Sequence, residues 1–173
     1  MKKAEEMKYK HAIFLDIDGV LNHQEWYRKT PPKERGKDFI DIDPEKIKML
    51  NNMISSLGGN KSVAVICSST WRLGNTIDEL NYIFKKVGAS FNIVDKTPNS
   101  DHRFRGVEIK QWLYDNSEKY FGKIYYKFHS YAIIDDDSDM CLNQAEKFFR
   151  INSATGITYN DIHRIKNYLE RYV

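Results

Sequence analysis

The chain has 173 residues, a net charge of +3, 41% hydrophobic residues and 29% charged residues. This length favours one domain that buries roughly 70% of the surface of its unfolded chain. No stretch approaches the ~20 apolar residues that span a bilayer as a helix, so no membrane-spanning helix is predicted. The polar start, MKKAEEMKYK, lacks the apolar core of a signal peptide, so we expect a cytoplasmic protein whose residues 1–10 form a loose, flexible tail.

Apolar runs typical of buried strands alternate with helical patterns along the chain. The alternation predicts an α/β fold, a Rossmann-like three-layer sandwich with a mostly parallel central sheet, formed by residues 11–173 as a single domain. In chain order the predicted elements are a strand at 11–15, a helix from Pro44, a strand at 63–67, a helix from Thr76, a weaker strand at 91–94, a helix from Gly106, a strand at 131–135, an edge strand at 147–151 and a helix from Thr158.

Polar residues follow each of the three strongest strands. In a parallel sheet these carboxyl ends lie along one edge, where ligands bind. Two carboxylates ~4 Å apart repel by roughly 4 kcal/mol at an effective dielectric constant of 20, so a cation is expected among them. Oxygen ligands in an open site favour Mg²⁺. The polar residues are Asp16 and Asp18, then Ser68, Ser69, Thr70 and Arg72, then Asp135, Asp136, Asp137 and Asp139.

Two other interpretations of these acids fit the sequence less well. A calcium-binding EF-hand loop needs glycine at its sixth position and glutamate at its twelfth, whereas here Gly19 is fourth and Tyr27 is twelfth. The acids at 135–139 could instead only cap the next helix, but burying them together with Asp16 and Asp18 unpaired would be costly. The cysteines, Cys67 and Cys141, lack a zinc-ligand spacing and are expected to be free, buried thiols.

A basic and aromatic segment follows the first acid pair. Residues 23–37 contain five Lys or Arg, two Glu, and the aromatic residues Trp26 and Tyr27. The segment is either a solvated loop or a surface for phosphate-rich ligands, because cations contact phosphates and aromatic rings stack on bases.

The acid pair resembles the first motif of haloacid dehalogenase (HAD) superfamily phosphatases, a strand running into Asp-x-Asp-Gly-[Thr/Val]-[Leu/Val]. Residues 16–21, DIDGVL, match it. The second motif, an apolar strand ending in Ser or Thr, is matched at Ser68, and the fourth, a strand ending in an acidic pair, at 135–136. The third, a Lys or Arg ahead of a helix, is assigned to Arg105, with Arg103 and Lys110 as alternatives.

The fuller pattern FLDIDGVLN, SSTWR, RGVEIKQWL, AIIDDDSDM and TGIT resembles the HAD domains of RNA-repair proteins. It is more distantly similar to the 3′-phosphatase domains of polynucleotide kinase–phosphatases. In those domains, as here, an arginine follows the second-motif serine. The resemblance gives Arg72 a functional role, in place of pairing with a surface acid.

The resemblance implies covalent phosphate chemistry. Asp16 would be the nucleophile that forms an aspartyl-phosphate, and Asp18 would be the general acid and then the general base. A dehalogenase lacks the second aspartate, so Asp18 favours phosphoester hydrolysis. Ser68, Ser69, Arg72 and Arg105 are the expected phosphate-binding residues. The expected Mg²⁺ ligands are Asp16, Asp18 through its backbone carbonyl, Asp135 and Asp136, with Asp139 as an additional candidate.

The gaps between the motifs are too short for the cap domain with which HAD phosphatases select substrates. A capless HAD core with a flap-like segment at 23–43 favours macromolecular substrates, here RNA or DNA ends such as 3′-phosphates. A repair ligase or kinase would be a compatible partner, and no membrane is implied. The alternatives are a phosphatase for nucleotides or other small molecules, and a non-catalytic phosphate-binding module.

Overall fold

A fully parallel, five-stranded sheet in the order β3-β2-β1-β4-β5 forms the centre of the protein. The structure is a computed structural model that describes residues 8–30, 41–100 and 104–172. The strands are β1 (His11–Leu15), β2 (Val63–Cys67), β3 (Ile93–Lys96), β4 (Tyr131–Asp135) and β5 (Phe148–Arg150). The α-helices are α1 (Gln24–Lys29), α2 (Pro44–Ser56), α3 (Ile77–Lys86), α4 (Arg105–Phe121) and α5 (Tyr159–Leu169).

Helices cover both faces of this sheet, which confirms the predicted three-layer α/β architecture. Alternate side chains of a strand point to opposite faces, and β1 follows this rule. Ile13 and Leu15 join a core cluster that also contains residues of α2, α3 and α5. Ala12 and Phe14 join a second, more aromatic cluster that contains residues of α4. All five residues of β1 are buried, as expected for a central strand covered on both sides.

The sequence patterns located most elements closely. Strand β5 lies at one edge of the sheet, as predicted. The weaker strand lies at Ile93–Lys96, two residues later than expected. Helix α5 begins after Thr158, whose hydroxyl accepts a hydrogen bond from Asp161 N, the predicted N-cap. Helix α1 was not predicted, because six residues rich in charge and aromatic rings carry no clear helical period.

The tail and the cysteines differ in part from expectation. Tyr9 N donates to Tyr120 O and Lys10 N to Ser62 O, so the last two residues of the tail predicted for 1–10 are hydrogen-bonded to the fold. Residues 1–7 lie outside the described residues. Cys67 is buried and Cys141 is only half-buried, and both are free. Within the described ranges, no helix combines the length and apolar character that crossing a membrane requires.

Candidate active site

Three aspartates meet where β1 and β4 end side by side. The two strands pair in parallel, with Leu15 opposite Ile134, so the residues that follow them emerge at the same edge of the sheet. One carboxylate oxygen from each of Asp16, Asp135 and Asp136 lies within 4.8 Å of the other two. Asp16 and Asp135 are buried, while Asp136 is half-buried. The predicted acid cluster therefore forms.

The turn after β1 separates the two aspartates of the first motif. Ile17 between them is buried in the core. Gly19 has a φ of +75°, a conformation that L side chains rarely adopt. A Cβ atom at Gly19 would also overlap the carboxyl group of Asp136. The glycine of the motif therefore lets the β1 turn approach the β4 acids.

Arg105, at the start of α4, provides the cation of the cluster. Its Nη1 lies 3.0 Å from Asp16 Oδ1 and its Nε lies 3.3 Å from Asp135 Oδ2. Its backbone N–H donates to Asp139 Oδ2 at 2.9 Å, which fixes the first turn of the helix. Among the three candidates for the third motif, Lys110 is exposed on α4, and Arg103 lies outside the described residues. The structure therefore brings Arg105 into the site.

Burial and the proximity of other carboxylates raise the pKa values of the three carboxyl groups. Burial raises the pKa of Asp16, although Arg105 and a hydrogen bond from Ser69 oppose the rise. Burial, with the neighbouring charge of Asp16, raises the pKa of Asp135 to about 8. The pKa of Asp136 is raised for the same two reasons. The single positive charge of Arg105 therefore does not offset the burial and mutual repulsion of the three carboxylates.

This residue set fits a hard divalent cation. Asp135 Oδ2 is buried and makes no hydrogen bond to the described residues beyond its ion pair with Arg105. Carboxylate oxygens at this spacing are ligands of the kind that Mg²⁺ uses in open sites. A bound cation would also oppose the raised pKa values, because a positive charge favours ionised carboxylates. The three-carboxylate cluster includes neither Asp139 nor the side chain of Asp18.

Two serines follow β2, the strand on the other side of β1. Ser68 is fully buried, and its Oγ has no hydrogen-bond partner among the described residues. Its backbone carbonyl accepts a hydrogen bond from Arg105 Nη1. Ser69 is also buried, and its Oγ accepts a hydrogen bond from Trp71 N at 3.5 Å. Among the described residues, Ser68 Oγ is thus an unused donor at the end of β2.

The side chain of Arg72 is not available to bind phosphate. Its guanidinium group is buried, and a guanidinium group carries five N–H donors. All of them are used inside the fold, which leaves none for a phosphoryl oxygen. The acceptors are Glu108 Oε2 at 2.6 Å and the carbonyls of Ser68, Ser69, Thr97 and Pro98 at 3.0 to 3.3 Å. We therefore correct the phosphate-binding role expected for Arg72: it holds the loop after β2 (residues 68–73, the β2 loop) against α4.

Arg72→Ala is expected to lower the free energy of unfolding by about 3–5 kcal/mol, because it leaves the buried carboxylate of Glu108 without its charged partner. Urea titration would measure this loss. The double variant Arg72→Leu/Glu108→Leu is expected to recover much of it, since both charges are removed together. A loss in the free energy of unfolding below about 1 kcal/mol for Arg72→Ala would contradict this structural role and make Arg72 a candidate phosphate ligand again.

Asp18 lies at the exposed side of the site and is held by two residues that sequence reasoning missed. The indole Nε1 of Trp71 lies 3.1 Å from each carboxylate oxygen. Asn22 Nδ2 donates to Asp18 Oδ1 at 2.7 Å. Their only signal in the sequence is position, since Asn22 directly follows the first motif and Trp71 precedes Arg72 in the SSTWR segment.

These residues surround an open crevice of about 430 Å³. Asp16 and Asp18 line it together with Arg105, and α1 contributes Gln24 and Tyr27. The other lining residues are Gly19, Asn22, His23, Thr70, Asp136, Asp137 and Ser153. The first part of the predicted flap at 23–43 therefore borders the acid cluster, whereas residues 31–40 of it lie outside the described residues.

A buried His23–Asp43 contact joins the two ends of that flap. His23 Nε2 lies 2.9 Å from Asp43 Oδ2, and His23 Nδ1 accepts a hydrogen bond from Trp26 N. Asp43 also caps α2 through Glu45 N at 2.9 Å. Helix α1 is thus anchored beside the crevice.

Comparison with known proteins identifies the fold. The family described as the HAD domain in Swiss Army Knife RNA repair proteins matches residues 12–162. No curated protein and no solved structure matches the chain. The matched range covers β2 to β5, all of β1 except His11, and every acid of the cluster. Such a domain indicates phosphatase-type hydrolase activity, and HAD domains generally use Mg²⁺. The chain therefore belongs to the family of HAD domains found in RNA repair proteins of the Swiss Army Knife type.

Proposed function

We propose that the protein is a Mg²⁺-dependent phosphatase that removes phosphate from nucleic acid ends, such as 3′-phosphates, through an aspartyl-phosphate formed on Asp16. One observation carries this proposal. Asp16 is a buried carboxylate at the crevice, held by Arg105 at 3.0 Å, and Asp18 lies on the exposed side of the same crevice. A fixed nucleophile beside a second carboxyl group suits covalent catalysis with proton transfer.

The proposed reaction has two steps. In the first, a carboxylate oxygen of Asp16 bonds to phosphorus, the bond to the leaving oxygen breaks, and Asp18 donates a proton to that oxygen. In the second, a water attacks the phosphorus, Asp18 takes a proton from it, and the Asp16–phosphate bond breaks. Asp16 is regenerated and inorganic phosphate leaves.

The remaining residues stabilise charge. The guanidinium of Arg105 and the free hydroxyl of Ser68 would contact the phosphoryl oxygens, where charge accumulates in the transition state. Asp16, Asp135, Asp136 and the backbone carbonyl of Asp18 would hold Mg²⁺. When bound, the metal would neutralise charge so that an anionic nucleophile can approach an anionic phosphate.

Three features favour a nucleic acid end as substrate. Within the described residues, the chain between Arg72 and α4 forms only a short 3₁₀ turn, α3 and β3, so this connection adds no cap over the crevice. Helix α1 borders the crevice and carries exposed Arg28 and Lys29. The family is described as a domain of RNA repair proteins.

We expect the protein to release phosphate from a 3′-phosphorylated oligonucleotide with a kcat/KM at least ~10-fold above that for 3′- or 5′-mononucleotides. The preference should fall as salt rises, because phosphate contacts release counterions. The variant Arg28→Ala/Lys29→Ala should lose part of the preference, whereas Lys85→Ala on α3 should retain it. Better turnover of mononucleotides, insensitive to salt, would instead indicate a nucleotide phosphatase.

A further inference from the structure

The side chain of Asp18 is held by donors from two different segments. Asn22 belongs to its own turn and donates to Oδ1 at 2.7 Å. Trp71 lies on the 3₁₀ turn after β2 and is 3.1 Å from both oxygens. An exposed aspartate normally samples several rotamers. Two donors that converge on one carboxylate select a single orientation.

The indole of Trp71 is itself held in place. Its ring packs against the larger core cluster, and its backbone carbonyl accepts from Asn75 Nδ2 at 2.9 Å. The next residue, Arg72, is fixed by five hydrogen bonds inside the fold. The N–H of Trp71 is therefore a rigid donor, because the ring and the adjacent backbone are both immobilised.

From this arrangement we infer that Trp71 is the positioning residue for acid–base catalysis by Asp18. The inference rests on the proposed phosphatase function. The β2 loop thus orients the exposed carboxylate of the first motif through Trp71. Trp71 itself does not line the crevice, so it acts through Asp18 and not through contact with substrate.

The inference predicts an effect that depends on the leaving group. A nucleoside or alkyl oxygen is a poor leaving group and needs the proton that Asp18 supplies, whereas 4-nitrophenolate leaves readily without it. The value of kcat/KM reports the steps up to the first irreversible one, which here is transfer of the phosphoryl group to Asp16. General acid catalysis contributes about 10²–10⁴-fold, and misorientation of the acid loses part of this.

Trp71→Phe removes the N–H group but keeps an aromatic ring. We expect kcat/KM for a nucleoside 3′-phosphate to fall ~10–100-fold, and kcat/KM for 4-nitrophenyl phosphate to fall by less than ~3-fold. Trp112→Phe is the matched control, because Trp112 Nε1 also donates to an aspartate, Asp95, at 3.0 Å, but Trp112 lies on α4 and belongs to the second core cluster. This control should lose stability without changing the ratio of the two substrates. Equal losses on both substrates with Trp71→Phe, or no loss on either, would overturn the inference.

A second readout is independent of turnover. The chain contains three tryptophans, so a two-dimensional ¹H–¹⁵N correlation NMR spectrum should show three indole N–H signals. Asp18→Ala should shift the Trp71 signal upfield and leave that of Trp112 in place. An unchanged Trp71 signal would overturn the inference. If the wild-type protein releases no phosphate while the Trp71 signal still shifts, the proposed function fails and the contact that positions Asp18 stands.

Discussion

Asp16→Asn is expected to reduce phosphate release by ~10⁴-fold or more, because loss of a covalent nucleophile removes the first chemical step. The asparagine retains the size of the side chain and can still accept a hydrogen bond from Arg105. Burial raises the pKa of Asp16, so the ionised carboxylate is costly in the metal-free protein. We therefore expect the variant to fold at least as stably as the wild type. Phosphate release from a 3′-phosphorylated oligonucleotide with Mg²⁺, together with thermal unfolding in a chelator, measures both effects.

Asp115→Asn is a suitable control for this prediction. Asp115 is exposed on α4, where it accepts a hydrogen bond from Gln111 at 2.8 Å, and its replacement should leave activity unchanged. Retention of more than about a tenth of wild-type turnover in the Asp16→Asn variant would contradict the role of Asp16. It would instead favour direct attack by water.

Asp135→Asn is expected to abolish stabilisation by Mg²⁺. A ligand at about 100 times its Kd adds about 2.7 kcal/mol to the stability of the state that binds it, which for a domain of this size raises Tm by about 5–10 °C. The wild type should show such a shift with Mg²⁺. The variant should show little shift and a ~10²-fold or greater loss of turnover, since one buried ligand of the cluster is missing.

In the absence of metal, Asp135→Asn should instead increase the stability of the protein. The pKa of Asp135 is raised to about 8, so the folded state holds a proton that the unfolded chain releases near pH 4. This difference lowers stability progressively as the pH rises from about 4 to about 8. Asparagine removes this pH-dependent loss of stability. The variant should therefore be more stable than the metal-free wild type at pH 8, and the gain in stability should be smaller at pH 5. Urea titrations in a chelator at the two pH values measure the difference. An equal Mg²⁺ shift in both proteins would contradict the assignment of the metal to this cluster.

The acid cluster could be predicted from the sequence because its position follows from topology. Three apolar runs end in polar residues, and any parallel sheet that pairs these runs brings their ends to one edge. The strand order places β1 between β2 and β4, so Asp16 meets Asp135 on one side and Ser69 on the other. Arg105 could be predicted because it lies directly ahead of the helix predicted from Gly106, although the choice over Lys110 became clear only from the ion pair with Asp16.

The role of Arg72 could not be predicted, because it depends on a partner 36 residues away. Glu108 lies on α4, and only the packing of α4 against the β2 loop brings its carboxylate to 2.6 Å from Arg72. From spacing alone, an arginine after the second-motif serine is equally compatible with binding phosphate. The buried pair resolves this ambiguity, since it uses the donors that a phosphate would need.

The contact between Trp71 and Asp18 escaped prediction for a similar reason. The two residues are 53 positions apart, and an indole N–H leaves no periodic or compositional signal. Helix α1 was missed because nothing in six polar and aromatic residues distinguishes a short helix from a loop. Both features depend on tertiary contacts, namely the adjacent ends of β1 and β2 for Trp71 and the His23–Asp43 contact for α1.

The aspartyl-phosphate on Asp16 is the central claim, and trapping it is the most direct test. The Asp18→Asn variant should form the intermediate from 4-nitrophenyl phosphate but hydrolyse it slowly, because it lacks the base that activates water. Rapid acid quenching followed by borohydride reduction converts an acyl phosphate to an alcohol, which peptide mass spectrometry locates. We predict reduction of Asp16 to homoserine in a Mg²⁺-dependent manner, and none in Asp16→Asn/Asp18→Asn. Reduction at another residue, or phosphate release by the wild type without any reducible intermediate in the variant, would contradict the proposed mechanism.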